Sequence, residues 1–137
     1  MNVHLLVIPE ADQRPEVSGA DWFFDAAGDL QVRVSPMSDW RYEVLLAMHE
    51  AFEAVCCKMS GVTVKQVDEY DQKFYESHTD DLDAGDQADC PYRREHNAST
   101  AAERILAGEL GMCWAEYDDE LRKVYPGPTG KKKPEAK

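Results

Sequence analysis

The hydrophobic pattern divides the chain into a strand-rich first third and a helical remainder. Residues 3–9 are almost continuously apolar, which predicts a short buried strand that Pro9 stops. Residues 21–35 predict a hairpin, because a turn at 25–28 separates two apolar stretches and the second alternates apolar with polar residues. We therefore expect a small antiparallel sheet at the N-terminal end.

A long helix is predicted after the hairpin, over residues 39–60. Ser38 or Asp39 is placed to cap its start, and Gly61 is placed to end it. Its interior is apolar on nearly every side, a composition typical of a helix at the centre of a fold.

Three further helices follow in the pattern. The second begins at Thr63, where Gln66 completes a capping-box sequence, and extends to about Ser77. The third covers 91–110 and the fourth 113–124. Residues 78–91 carry aspartates without any lysine or arginine before Arg93, which predicts a solvated acidic loop.

Together these elements predict an α+β fold, with the N-terminal sheet followed by three to four helices. A chain of this length forms one domain as a rule, and we expect it over 1–125. Residues 126–137 combine prolines, glycines and lysines and are expected to form a flexible basic tail.

The charge balance narrows the classes of partner. The chain has 27 acidic and 15 basic residues, for a net charge of −12. Binding to a nucleic-acid backbone is therefore not expected, since it needs clustered lysine and arginine. A cation or a basic protein partner fits the charge better.

No membrane or secretory segment is expected. No apolar run approaches the roughly 20 residues of a membrane helix, and Met1 to Pro9 lacks a basic start and a cleavage site. The four cysteines lack CxxC spacing, so a thiolate zinc site is not expected and we interpret them as reduced thiols. The expected location is the cytoplasm.

The first helix places two ligand-type residues on its apolar side. His49 and Glu53 are one helical turn apart, and apolar residues surround them on the helix. A buried carboxylate is costly unless it is paired, hydrogen-bonded or bound to a metal. The alternative interpretation of this pair is a buried histidine–glutamate hydrogen bond without a metal.

The next two helices show related features. His96 and Glu103 share one face of the third helix, and Asp71 lies within the apolar row of the second. A structural alternative exists for each of them: a helix-capping His96, a surface Glu103 and a solvated Asp71. Nitrogen and oxygen ligands without thiolate suit zinc, with manganese, iron and nickel as further candidates. The five candidate metal ligands are His49, Glu53, Asp71, His96 and Glu103.

The sequence HEAFE at 49–53 resembles the HExxH helix of the zincin metallopeptidases. The resemblance implies a zincin-like fold, His49 as a metal ligand and Glu50 as the general base for hydrolysis of an amide-like bond. Glu53 stands where that family has its second histidine.

Two longer segments resemble small uncharacterised proteins encoded by bacteriophages and prophages. They are LLAMHEAFEAVCCKMSGVTVKQVDEYD and CPYRREHNASTAAERILAGELGM. The resemblance covers about residues 30–120. It implies the cytosol of a bacterial host as the location and does not imply any particular activity.

Two functional hypotheses follow. The first is a metal-binding, zincin-like domain, with or without hydrolase activity, in which His49, Glu53 and His96 hold the ion. Glu103 or Asp71 would then complete or orient the site. The alternative is a non-enzymatic acidic protein that binds a basic host protein or mimics DNA.

Overall fold

The computed structural model describes residues 1–14, 19–78 and 83–124, which form an α+β fold with a three-stranded sheet followed by four helices. The predicted basic tail, 126–137, lies outside the described residues. In chain order the elements are β1 (Val3–Val7), β2 (Ala20–Phe24), β3 (Leu30–Val34), α1 (Trp40–Ser60), α2 (Val64–Ser77), α3 (Arg93–Glu109) and α4 (Trp114–Val124). Short 3₁₀ helices cover Glu10–Asp12 and Ala84–Asp86.

The sheet is mixed, so the prediction of an antiparallel sheet was wrong. Its order is β1-β3-β2, with β2 antiparallel to β3 as the hairpin required. The first strand pairs with β3 in parallel, with Val3 opposite Leu30 and Val7 opposite Val34. Hydrophobic alternation shows which residues share a face of a strand, but it carries no information on which strands become neighbours.

The first strand is also not buried, contrary to the prediction for residues 3–9. All five residues of β1 are exposed, because α1 packs mainly on β2 and β3 and covers little of β1. The main core lies where α1 packs on the other two strands, with Leu30, Val32 and Val34 at 0–1 % exposure. A short apolar run therefore predicted the strand correctly and its burial incorrectly.

Helix α1 has the predicted ends. The Asp39 side chain accepts a hydrogen bond from the backbone N–H of Arg41, and Gly61 adopts the left-handed conformation, with φ of 77°. The expectation that α1 is buried on nearly every side was wrong. One side of the helix packs on the sheet and on α3, and another presents exposed apolar side chains.

The remaining helices position the walls of a central cavity. Helix α2 begins with the predicted capping box between Thr63 and Gln66. Part of the predicted acidic loop is not solvated, because Ala84 and Gly85 are buried against α3. Tyr117 of α4 is completely buried and packs on Tyr42 of α1. Within the described ranges, none of the helices has the length and apolar character needed to cross a membrane.

Candidate metal centre

A cavity of about 450 Å³ opens between the four helices and β2. Its lining includes His49 and Glu53 from α1 and His96 and Glu103 from α3. All four side chains are buried, with exposures of 5–8 %. The alternatives of a surface Glu103 and a merely capping His96 are therefore wrong, and the ligand-type residues of the two helices meet in the interior.

The packing of α1 against α3 brings the two histidines together. Their ring centroids are 5.0 Å apart and the ring planes are inclined by 70°. The two histidines therefore face each other across this helix pair. Since the two residues are 47 positions apart in the chain, only the tertiary fold could bring them together.

Glu53 lies at the centre of the cluster. Its Oε2 atom is 3.0 Å from Nδ1 of His96 and 3.4 Å from Nε2 of His49. Its Oε1 atom accepts a hydrogen bond of 3.0 Å from the indole Nε1 of Trp22 on β2. One ligand atom from each of Glu53, His49 and His96 lies within 4.8 Å of the other two.

The other nitrogen of each histidine faces a different carboxylate. Nδ1 of His49 is 2.9 Å from Oε2 of Glu103, whose Oε1 atom accepts a hydrogen bond from the Tyr117 hydroxyl. Nε2 of His96 is 3.4 Å from a carboxylate oxygen of Asp86 and 3.6 Å from one of Asp83. Each imidazole therefore directs one nitrogen to the cluster and the other to an orienting carboxylate.

The charges of the cluster are strongly coupled. Burial alone would raise the pKa of Glu53, but hydrogen bonds from His49 and His96 outweigh it and lower this pKa to about 2. Burial would lower the pKa of His49, whereas its contacts with Glu103 and Glu53 raise it well above the ordinary value. The same opposition raises the pKa of His96, where Glu53 is the main partner.

Glu50 has a different environment from Glu53. It lines the same cavity, is partly buried, and makes no hydrogen bond to any residue in the described ranges. Burial raises the pKa of Glu50 well above its ordinary value, and the neighbouring charge of Glu53 raises it further. The cavity therefore contains one carboxylate fixed by hydrogen bonds and another that is not.

Asp71 does not belong to the three-residue group. Its carboxylate accepts a hydrogen bond from the Tyr92 hydroxyl, and the residue lines the cavity on the α2 side. Sequence reasoning missed Trp22, Tyr92 and Tyr117, because an aromatic residue in an apolar row gives no sign that its polar atom will contact a carboxylate. It also left out Asp83 and Asp86, which it assigned to a solvated loop.

The 3₁₀ helix before α3 packs against the His96 imidazole at Gly85. A Cβ atom built on Gly85 would lie 2.4 Å from Cγ of His96 and 2.6 Å from Nδ1. Only a residue without a side chain lets this segment approach the imidazole so closely. Gly85 therefore holds Asp83 and Asp86 near His96 while fixing the position of the ring.

Comparisons with protein-family models, with curated proteins and with solved structures found no match to this chain. A zincin-like fold is accordingly not supported beyond the five-residue likeness of HEAFE.

Proposed function

We propose that this chain binds one divalent transition-metal ion, with zinc the best fit, through His49, Glu53 and His96. The observation that carries the proposal is the convergence of three buried ligand atoms, from two helices, within 4.8 Å of one another. Two imidazoles and one carboxylate form a donor set that zinc accepts in catalytic sites, where a fourth position is left for water or substrate.

The distances support this assignment. Zinc bonds to nitrogen and oxygen are about 2.0–2.2 Å long, so tetrahedral ligand atoms lie about 3.3–3.5 Å apart. The gap of 3.4 Å between Glu53 and His49 matches that separation, and the gap of 3.0 Å between Glu53 and His96 is only slightly shorter. Small rotations of buried side chains would be enough to admit an ion.

The surroundings of the ligands also support it. Histidines that bind metals usually donate their other ring N–H to a carboxylate or carbonyl, which fixes the tautomer and the ring orientation. Glu103 is positioned to do this for His49, and Asp86 and Asp83, at 3.4 and 3.6 Å, lie close enough to attract the outer N–H of His96. Trp22 holds the outer oxygen of Glu53, so the inner oxygen is directed at the two histidines.

The structural alternative is a buried network of protonated histidines and carboxylates with no metal. Such a network accounts for the contacts of His49, Glu53 and Glu103, but it gives no role to the cavity beside them. A cavity of about 450 Å³ is within the usual range for small-molecule sites, and its wall includes Glu50, whose carboxylate has no hydrogen-bond partner among the described residues. We therefore favour a site that receives a ligand.

We further propose that the centre is hydrolytic, with Glu50 as the general base. A bound ion of this kind would polarise a substrate carbonyl and activate water for attack. Glu50 lines the same cavity and has no hydrogen-bond partner in the described ranges, so its carboxylate is free to accept and pass on a proton. Amides and esters are the substrate classes that this chemistry suits.

Metal analysis tests the first part of the proposal. The mass of protein purified without chelator is measured by native mass spectrometry. Any bound metal is then removed, and the protein is titrated with zinc chloride. We expect one ion per chain, loss of binding in His49→Ala and His96→Ala, and sharply weaker binding in Glu53→Gln. His4→Ala, which removes a half-exposed imidazole that does not line the cavity, is the matched control. A stripped protein whose spectrum does not change with excess zinc would refute the site.

The catalytic part has its own test. Hydrolysis of p-nitrophenyl acetate by the zinc-loaded protein is compared between wild type and Glu50→Gln, since a general base typically contributes ~10²–10⁴-fold. We expect Glu50→Gln to keep its zinc and lose most of the activity. Equal rates in the two proteins would remove Glu50 from the mechanism and leave the metal site standing.

The acidic interaction protein remains the alternative. The net charge of −12, on which that hypothesis rests, is equally consistent with a cation site. Zinc binding distinguishes the two functions, because docking to a basic partner does not require His49 or His96.

A further inference from the structure

A continuous apolar surface lies on the opposite side of α1 from the cavity. Within α1, six exposed apolar residues recur every three or four positions and form one stripe along the helix. They are Trp40, Val44, Met48, Phe52, Val55 and Met59, with exposures of 37–82 %. No other described element covers this stripe.

The edge strand extends the same surface. The register pairs Val3, Leu5 and Val7 with Leu30, Val32 and Val34, so all six side chains lie on the same face of the sheet. Helix α1 packs on this face over β2 and β3. Val3, Leu5 and Val7 are nevertheless 46–51 % exposed, because α1 lies mainly over the other two strands. The α1 stripe and this face of β1 together form what we call the apolar flank.

The open edge of β1 lacks the usual protection. Natural edge strands are blunted by lysines, prolines or bulges, since their free N–H and C=O groups would otherwise pair with another strand. The sequence VHLLV from Val3 to Val7 has none of these features. Within the described ranges no strand lies on its outer side.

The extent of the apolar flank suits a protein interface. Its nine apolar residues are 37–82 % exposed, which makes it more extensive than the singly scattered hydrophobic residues that are normal on a monomer. Each partner in a standard interface contributes about 800 Å². Backbone pairing along β1 would add to the area that these side chains bury.

Charge favours a second copy over a basic partner at this surface. Neither β1 nor the exposed stripe of α1 carries a carboxylate, whereas the chain as a whole has a net charge of −12. The nearest exposed charge on α1 is the cation of Lys58. Two copies can therefore meet here without bringing their acidic surfaces together. A basic partner would not find a carboxylate on this surface with which to form an ion pair.

We infer that the apolar flank is the interface of a homodimer. A two-fold axis perpendicular to the sheet would pair β1 with its own copy in antiparallel orientation and join two three-stranded sheets into one of six strands. The α1 stripes of both copies would then cover the paired strands. The cavity lies on the far side of α1, so the inference does not rest on the metal proposal.

Sedimentation equilibrium of the full chain tests this inference. We expect twice the mass of one chain for wild type, and the mass of one chain for Met48→Glu and Leu5→Lys. Ile105→Glu is the matched control, because Ile105 is 71 % exposed on α3, outside the apolar flank, and its substitution should leave the dimer intact. Circular dichroism spectra establish that each variant is folded, and unchanged zinc content in Met48→Glu separates this test from that of the metal site.

Three outcomes would overturn the inference. The first is a monomeric wild type at tens of micromolar, and the second is a dimer that Met48→Glu and Leu5→Lys both leave intact. The third is a monomer that becomes a dimer when residues 125–137 are deleted, which would make that segment the occupant of the apolar flank. Hydrogen exchange at the β1 amides gives an independent measure, since dimerisation should slow exchange as concentration rises.

Discussion

At the scale of single residues, the contrast between Glu53 and Glu50 summarises the chemistry of the centre. Glu53 is fixed by Trp22, His49 and His96, whereas Glu50 lines the same cavity without a hydrogen bond in the described ranges. Adjacent turns of one helix thus supply a bound carboxylate and a free one. This difference is why we assign the first to metal binding and the second to proton transfer.

The role of Glu103 in orienting the His49 ring can be tested by replacing its carboxylate with an amide. Glu103→Gln keeps the size of the side chain but removes the negative charge beside Nδ1 of His49. Loss of such an orienting partner typically weakens metal affinity about 10–100-fold. We expect that decrease in a zinc titration, with Glu109→Gln, an exposed change on the same helix, as the control. Equal affinity in both variants would assign Glu103 to stability alone.

At the scale of elements, the 3₁₀ helix Ala84–Asp86 and helix α3 act as one unit around His96. Gly85 lies against the imidazole, and Asp83 and Asp86 face its outer nitrogen. Helix α2 forms another wall and depends on its capping box for a defined start. Two substitutions test these contributions separately.

Gly85→Ala should disturb the centre through packing. Its Cβ atom would collide with the His96 ring, which is held between carboxylates and cannot easily move away. We expect weaker zinc binding and a lower free energy of unfolding, measured by titration and by urea denaturation. In contrast, Gly108→Ala, in α3, meets nothing within 4 Å and should stabilise the protein by up to about 1 kcal/mol. The two substitutions should therefore change the free energy of unfolding in opposite directions. A Gly85→Ala variant with unchanged zinc affinity and stability would show that His96 is not packed tightly against this glycine.

Thr63→Ala should destabilise α2 without changing the ligands. The Thr63 hydroxyl accepts the backbone N–H of Gln66, and loss of a capping hydroxyl typically costs about 1 kcal/mol. Urea denaturation measures this cost, with the exposed Lys65→Ala as the reference. A cost no larger than that of Lys65→Ala would show that α2 is held by packing rather than by its cap.

At the scale of the whole molecule, a strongly acidic chain folds around an interior where carboxylates and histidines balance one another. Because protons and zinc compete for the same histidines, the pH dependence of stability should differ between the metal-free and the zinc-bound protein. Above the unfolded value of 4.5, Glu53 stabilises the fold, and this contribution is lost as the pH falls towards its folded pKa of about 2. His49 and His96 have raised pKa values, so their contribution is complete below 6.5 and is lost as the pH rises through the folded values.

The melting temperature of the metal-free protein should therefore decrease as its histidines lose their protons. Zinc requires the same histidines in the neutral form, so its stabilising effect should increase from about pH 5.5 to about pH 8. Thermal melts with zinc and with a chelator across this range measure the difference. A zinc effect that does not vary with pH would show that the ion binds elsewhere.

The sequence alone was sufficient for most of the local structure. Asp39, Thr63 and Gly61 mark helix ends through hydrogen bonds and backbone conformations that involve only neighbouring residues. Helical spacing also placed His49 with Glu53, and His96 with Glu103, because residues a whole number of turns apart share a face. The candidate ligands could therefore be named before their partners were known.

Only the tertiary structure decided how these pieces meet. The parallel pairing of β1, its place at the exposed edge and the bare stripe of α1 depend on the order in which elements pack, which periodicity does not encode. The contacts of Trp22, Tyr117 and Gly85 with the centre join segments far apart in the chain. A tryptophan or tyrosine in an apolar row has the sequence pattern of an ordinary core residue. Only the fold shows that its N–H or hydroxyl group faces a carboxylate.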